Sequence, residues 1–363
     1  MAVQAPPAAD TSPSPWPAVA RAVVLLTAIT GVLLTAFAWP SVRSSVHDVP
    51  IAVAGPAAAV EQVSTALRRR LPDAFEITEV AGTAAAERLI RDREVYGAID
   101  VSSGTPQVVI ASAASGAIAQ TLQSVATGLS QAQARTGLSQ AQARTGGAEV
   151  AIRDLAALPA DDPRGAGLAA GALPLVMVGL LAALLLTRLV RGTARRVTGA
   201  LAFAITGGLA AAAILQFWLG SLNGSYWANS GAVALTIAAT SLSILGLEAL
   251  LGFVGFGLGA VTMMLVGNPL SGAATAPEML PGWSGMLGRL LPPGAGGQLL
   301  RSTAFFDGRG ATHSVTVLVA WLTLGVVLCL VGGLRARRAA TVAAGPVRTP
   351  APPASTTFAA PTG

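Results

Sequence analysis

Lysine is missing from all 363 residues, so each of the 23 basic side chains is an arginine. That absence excludes chemistry. A phosphate loop of the G-x-x-x-x-G-K-[ST] type cannot be built, so the chain cannot hydrolyse ATP by that design. A Schiff-base lysine is excluded too. Histidine is nearly as scarce. His47 and His313 are the only two, they occur singly, and neither has Cys or Asp partners at metal-ligand spacing. The one cysteine, Cys329, leaves no intrachain disulfide and sits in an apolar run as a small hydrophobe. The nucleophile motif G-x-S-x-G does not occur, and Asp161-Asp162 before Pro163 reads as a solvated pair. No enzymatic activity, metal or cofactor is expected.

Apolar sequence is abundant instead. Hydrophobic residues make up 53% of the chain and charged ones 11%, against roughly 25% charged in soluble domains. The expected fold class is an α-helical polytopic membrane protein with six transmembrane helices. The first helix is Ala22–Trp39 and the second Gly165–Thr187, uncharged between Arg164 and Arg188. Val197–Leu247 can hold two helices, parted at Gln216–Ser230, with Trp218 and Trp227 as interfacial anchors. The fifth is Ala249–Val266 and the sixth Ser314–Leu334. A cleavable signal peptide competes for residues 21–40, but the apolar run is long and Trp39-Pro40 is an awkward cleavage junction.

Arginine sets the orientation. Arg188, Arg191, Arg195 and Arg196 lie between helices two and three; Arg335, Arg337 and Arg338 follow helix six. Both clusters belong in the cytoplasm by the positive-inside rule. Four crossings separate them, so both termini are expected in the cytoplasm, with 41–164 and 267–313 outside. The net charge of +6 is accounted for by these flanking arginines, and nucleic acid is not expected as a partner. Glu248 is the one acidic residue within 197–277. It reads either as a residue of a cytoplasmic turn or as a buried functional carboxylate.

The outward stretch 41–164, between helices one and two, reads as a small α/β domain. Ile51–Ala54 and Phe75–Val80 read as strands; Val60, Val63, Leu67 and Leu71 mark a helix face, and Thr83–Arg91 a second helix. Tyr96–Val101 and Gln107–Ala111 read as a strand pair around Ser102-Ser103-Gly104-Thr105. A polar helix from Ala114 leads into a tandem repeat, TGLSQAQAR at Thr127–Arg135 and again at Thr136–Arg144. Nine residues at about 100° each turn a helix by half a revolution. The two copies cannot share one packed face, so 127–144 reads as an exposed, mobile arm. Residues 1–20 and 335–363 read as disordered tails.

Gly267–Arg301 holds five prolines, at 269, 277, 281, 292 and 293, and is too broken to span a bilayer. Trp283, Met286, Leu287, Leu290 and Leu291 fall on one helical stripe. A short helix that lies in the interface or re-enters partway is expected. Asn268-Pro269-x-Ser271-Gly272, Pro277-Glu278-Met279-Leu280-Pro281 and Leu291-Pro292-Pro293-Gly294-Ala295 carry a resemblance. They resemble the segment before the last transmembrane helix in permease subunits of ABC-2 type transporters. Val95-Tyr96-Gly97-Ala98-Ile99 resembles a motif of that family's external domain, and the order of helices and domain is similar too. The length of the external domain is similar to that of the phage-infection-protein-like branch.

The resemblance implies a multi-pass subunit of the bacterial plasma membrane, in contact with the lipid bilayer. It would work as a homo- or heterodimer with a separate ATP-binding subunit, exporting an amphipathic or envelope-directed substrate. Arg188, Arg191, Arg195 and Arg196 would meet the ATPase. Asn268, Pro269, Ser271, Gly272, Pro277, Glu278, Pro281, Trp283, Leu287, Pro292, Pro293 and Gly294 would form an interfacial or gating segment. Arg289 and Arg301 are candidate partners for Glu278. The alternative is a non-transporting envelope protein that presents its external domain on a membrane anchor.

Overall fold

The computed structural model describes residues 15–103, 106–135 and 150–343. The elements in chain order are α1 (Trp16–Arg43), β1 (Val49–Ala54), α2 (Ala57–Arg70), β2 (Phe75–Val80), α3 (Thr83–Arg91), β3 (Gly97–Asp100), β4 (Gln107–Ile110), α4 (Gly116–Arg135) and β5 (Ala151–Asp154). Then follow α5 (Ala166–Leu189), α6 (Thr193–Ala213), α7 (Tyr226–Leu251), α8 (Phe253–Val261), α9 (Ser284–Arg289), α10 (Pro292–Phe305) and α11 (Thr312–Ala343).

Among the described residues five helices are long and apolar enough to cross a membrane: α1, α5, α6 with its π-helical extension to Trp218, α7 and α11. The expected fifth span differs. α7 runs on to Leu251 and takes Ala249–Leu251 from it. Gly252, at φ 63°, then reverses the chain, a conformation that favours glycine. What remains is Phe253–Gly267, shorter than the roughly 20 residues a crossing needs.

α7 is the central helix. Its residues from Asn229 to Gly246 are almost all buried, because Ala, Ser, Thr and Gly on every side admit close neighbours. α11 runs parallel to it along a glycine seam. A Cβ on Gly325 would stand 2.5 Å from the Leu242 carbonyl carbon, and one on Gly332 2.4 Å from the Ala249 oxygen. The Ser243 hydroxyl donates to the Trp321 carbonyl at 3.2 Å along the same seam. Trp218 and Trp227, expected as interfacial anchors, flank the α6–α7 turn and are exposed.

The sheet domain has strand order β2-β1-β3-β4-β5. β1 pairs parallel with β2 and β3, β3 antiparallel with β4, and β4 parallel with β5. Alternation along β1 sends Val49 and Ile51 to a core with α2 and α4, and Ala52 and Ala54 to a core with α3 and Phe306. The alanine face lets α3 and the end of α10 approach closely. β5 is absent from the sequence reading. Four exposed residues, Ala-Ile-Arg-Asp, carry no usable period.

Other expectations change at the edges. α1 begins at Trp16 and α11 continues to Ala343, so part of each expected tail is helical; residues 1–14 and 344–363 lie outside the described residues. The first repeat copy is the end of α4, and the Ser130 hydroxyl there accepts from the Val150 N–H at 3.0 Å. Thr136–Arg144 lies outside the described residues. Asp162 is buried rather than solvated. Its carboxylate caps α5, accepting from Ala166 at 2.7 Å and Gly167 at 2.8 Å.

Candidate functional site

Between α8 and α10 the chain makes an excursion whose two ends meet. A Cβ on Gly267 would lie 2.8 Å from Pro293 Cγ, so entry and exit touch. Within it come a π-helical turn to Gly267, 3-10 turns at Pro269–Ser271 and Pro277–Met279, and α9. Each proline supplies a helix start or a kink that needs no N–H. Gly285 and Gly288 lie under the carbonyl oxygens of Pro277 and Leu270, where a Cβ would come within 1.9 and 1.7 Å. The excursion is thus closed by backbone packed on backbone. At its entrance the buried side-chain oxygen Oδ1 of Asn268 has no hydrogen-bond partner among the described residues.

Three of the five residues of the expected stripe face away from the core, and Leu291, beyond α9, is buried. Trp283, Met286 and Leu290 are exposed, while Ser284, Gly285 and Gly288 are buried. Leu287 is half-buried. The small residues make the packed face because only they fit under the two carbonyls.

Tyr96, Arg93, Asp92 and the Ala113–Ala114 carbonyls tie this region to the sheet domain. The Tyr96 hydroxyl donates to Glu278 Oε2 at 2.6 Å, and Arg289 forms an ion pair with the other oxygen of Glu278. Burial pushes the Tyr96 phenol up from its ordinary value, outweighing the downward pull of Arg289, Arg93 and Arg301; it stays a donor. Arg93 follows α3 in a left-handed conformation, φ 61°, which non-glycine residues rarely adopt. Its guanidinium donates to the Gln298 carbonyl at 2.8 Å and to Gln298 Oε1 and Ser302 Oγ, both at 2.5 Å. It also lies 5.3 Å from the Phe306 ring centre. Burial draws the Arg93 value down; Tyr96 opposes that and Arg289 adds to it. Arg309 pairs with Asp92 at 3.1 Å. Of the two expected partners of Glu278, Arg289 is the one used. Arg301 instead donates to the carbonyls of Ala113, Ala114 and Ala273.

A cavity of about 570 Å³ lies beside this clamp, within the size range of small-molecule sites. Asp48, Glu76, Glu94 and Glu278 on one hand and Arg93, Arg289 and His313 on the other give it a wall of mixed charge. The sheet contributes Pro50 and Thr78 from the part of its alanine face that α3 does not cover.

At the other end of the bundle Arg196 is not free for a partner. It donates to the Val190 carbonyl at 2.8 Å, to the Thr187 carbonyl at 2.9 Å and to Glu248 at 3.1 Å. Glu248 is therefore half of an ion pair that fixes the α5–α6 turn to the end of α7. Arg188, Arg191 and Arg195 are exposed. Among the described residues no group of three or more His, Cys, Asp or Glu comes together to hold a metal.

Tyr96 was legible as part of Val95–Ile99; Arg93 was not. A charged residue after a helix carries no sign of a partner some 200 positions away. No protein-family model matches the chain, and neither a curated protein nor a solved structure matches it.

Proposed function

We propose that the chain is the membrane-spanning subunit of an ABC-2-like exporter in a bacterial plasma membrane, driven by a separate ATPase. One observation carries the reading: the excursion between α8 and α10 is clamped to the sheet domain through Tyr96, Glu278 and Arg289. In this reading α8 and α10 are the lower and upper parts of one interrupted crossing, the sixth in all. Gly259 faces Ile244 and Gly296 faces Thr236 of α7, so the two parts ascend the same helix in sequence. Interrupted helices place backbone polar groups inside a membrane only where protein or a cavity covers them. The arginine clusters 188–196 and 335–338 then lie in the cytoplasm with both termini, and the sheet domain lies outside. The ATPase contacts the exposed Arg188, Arg191 and Arg195. A push there moves α5 and α6, and the clamp carries the movement to the sheet domain. The functional unit is a dimer, and the substrate an amphipathic or envelope-directed molecule.

The test is purification of the full chain from its own membrane with a photo-crosslinker at Arg191. An ATP-hydrolysing polypeptide attached there, and not at Gln120, is the expected result. A chain that stays alone, with no ATP turnover above background, overturns the exporter. The 570 Å³ cavity against the sheet favours a second reading, a membrane-anchored binding module without transport. It gains if Glu76→Gln alters binding of an envelope component while no ATPase is captured.

A further inference from the structure

Where α5 meets the sheet domain, two cavities share one buried arginine. The outer cavity, about 270 Å³, lies between the first residues of α4, the first residues of α5 and the Ala273–Ala274 backbone. The inner one, about 40 Å³, is a slot among α5, α7 and α10. Leu168, Ala273 and Arg301 line both. Their chemistry differs sharply. Arg164, Arg301, Ser112 and Gln120 face the outer cavity, and among the described residues no carboxylate lines it. Leu175, Val176, Val233 and Leu300 wall the slot.

Arg301 is 7% exposed. It donates to the Ala114 carbonyl at 2.7 Å, and to those of Ala113 and Ala273. Neither Arg301 nor Arg164 has an ion-pair partner among the described residues. Of the acids near Arg164 in the chain, Asp161 sits against Gly220 and the other two are engaged elsewhere. Asp162 caps α5, and Asp154 accepts from the N–H groups of Ser112 and Ala156, each at 3.2 Å. Carbonyl dipoles solvate a buried guanidinium but leave its charge uncompensated. Arg164 lies two residues before α5, at the depth where a span enters the headgroup layer. A basic chamber at that depth, opening downward into an apolar slot, has the shape and polarity of a lipid turned headgroup outward.

We propose that this pair of cavities binds an anionic lipid, with its phosphate against Arg164 and Arg301 and the first methylene groups of its chain between α5 and α10. The guanidinium fork suits a phosphate. The site is separate from the clamp at Glu278 and does not depend on transport.

Full-length protein in phosphatidylcholine nanodiscs, doped with phosphatidylglycerol and read by native mass spectrometry of retained lipid, tests this. Retention should favour phosphatidylglycerol about tenfold, and Arg164→Gln should cut that preference about fivefold. Gln120→Glu, at an exposed position on the same chamber, should cut it as well. Neither variant removes an internal contact, so both should elute and melt like the parent in phosphatidylcholine alone. Equal retention of the two lipids overturns the proposal, as does a preference that both variants leave unchanged. Glycerol phosphate is the competitor that separates a free anion from a lipid. Its failure to displace the lipid is expected, and displacement at equal concentration rules the amphiphile out.

Discussion

Tyr96 and Arg289 share one carboxylate, Glu278, each taking one of its oxygens. Tyr96→Phe removes a charge-assisted hydrogen bond and should lower stability by about 1.5–3 kcal/mol, read as a lower midpoint of thermal unfolding in detergent. An unchanged midpoint would mean that the clamp is ornamental. Asp100 is a stricter case. Burial acts to raise its pKa, but the Ser102 hydroxyl, the Thr83 hydroxyl and the Ser102 N–H outweigh it and hold the carboxyl below its ordinary value. A depressed folded value means that the contribution is complete above the unfolded carboxylate value, about pH 3.9, and fades as pH falls through the folded one. Asp100→Asn should therefore destabilise the sheet domain at neutral pH. The gap to the parent should narrow only in acid; a gap independent of pH would discard the linkage. At the excursion, Ser284→Asp should be worse than Leu287→Asp, because Ser284 is fully buried and a buried unpaired aspartate costs several kcal/mol. Membrane abundance of the two variants decides it, and the opposite order would put the stripe back against the protein.

Helices and strands were legible where their period was local. β2 and α3 fall where alternation in Phe75–Val80 and the amphipathic Thr83–Arg91 put them. The Trp283 stripe was legible as a face, but not as which face. In a membrane an apolar residue against lipid and one against the core carry the same sequence signal. What settles the direction is Gly285 and Gly288, and a glycine in a loop-like segment reads as flexibility until the carbonyl above it is seen. The same reasoning explains Arg93 and Arg301, whose partners are distant in the chain: Gln298 and Ser302 for the first, backbone carbonyls for the second. Gly288→Ala would place a carbon 1.7 Å from the Leu270 oxygen, whereas Gly297 has nothing within 4 Å. The first should lose folded protein, by at least the 1–3 kcal/mol typical of overpacking, and Gly297→Ala should behave as the parent. Size-exclusion profiles of both show it; a monodisperse Gly288→Ala protein would mean that the excursion is loose.

For the molecule as a whole, sidedness is the property to measure. In a Cys329→Ser background, single cysteines at Gly192, Glu61 and Gln120 are all accessible by position. An impermeant thiol reagent should label 61 and 120 from outside the cell and reach 192 only after the membrane is opened. Labelling of 192 in intact cells would invert the protein. The parallel pair α7 and α11 gives this arrangement its mechanics. Their backbones touch at Leu242–Gly325 and Ala249–Gly332 with no side chain between. Side chains can change rotamer to let two helices slip; touching backbones cannot, so the pair moves only as one piece. In the proposed reading this pair is the fixed part, and the helices packed around it are the ones left to move.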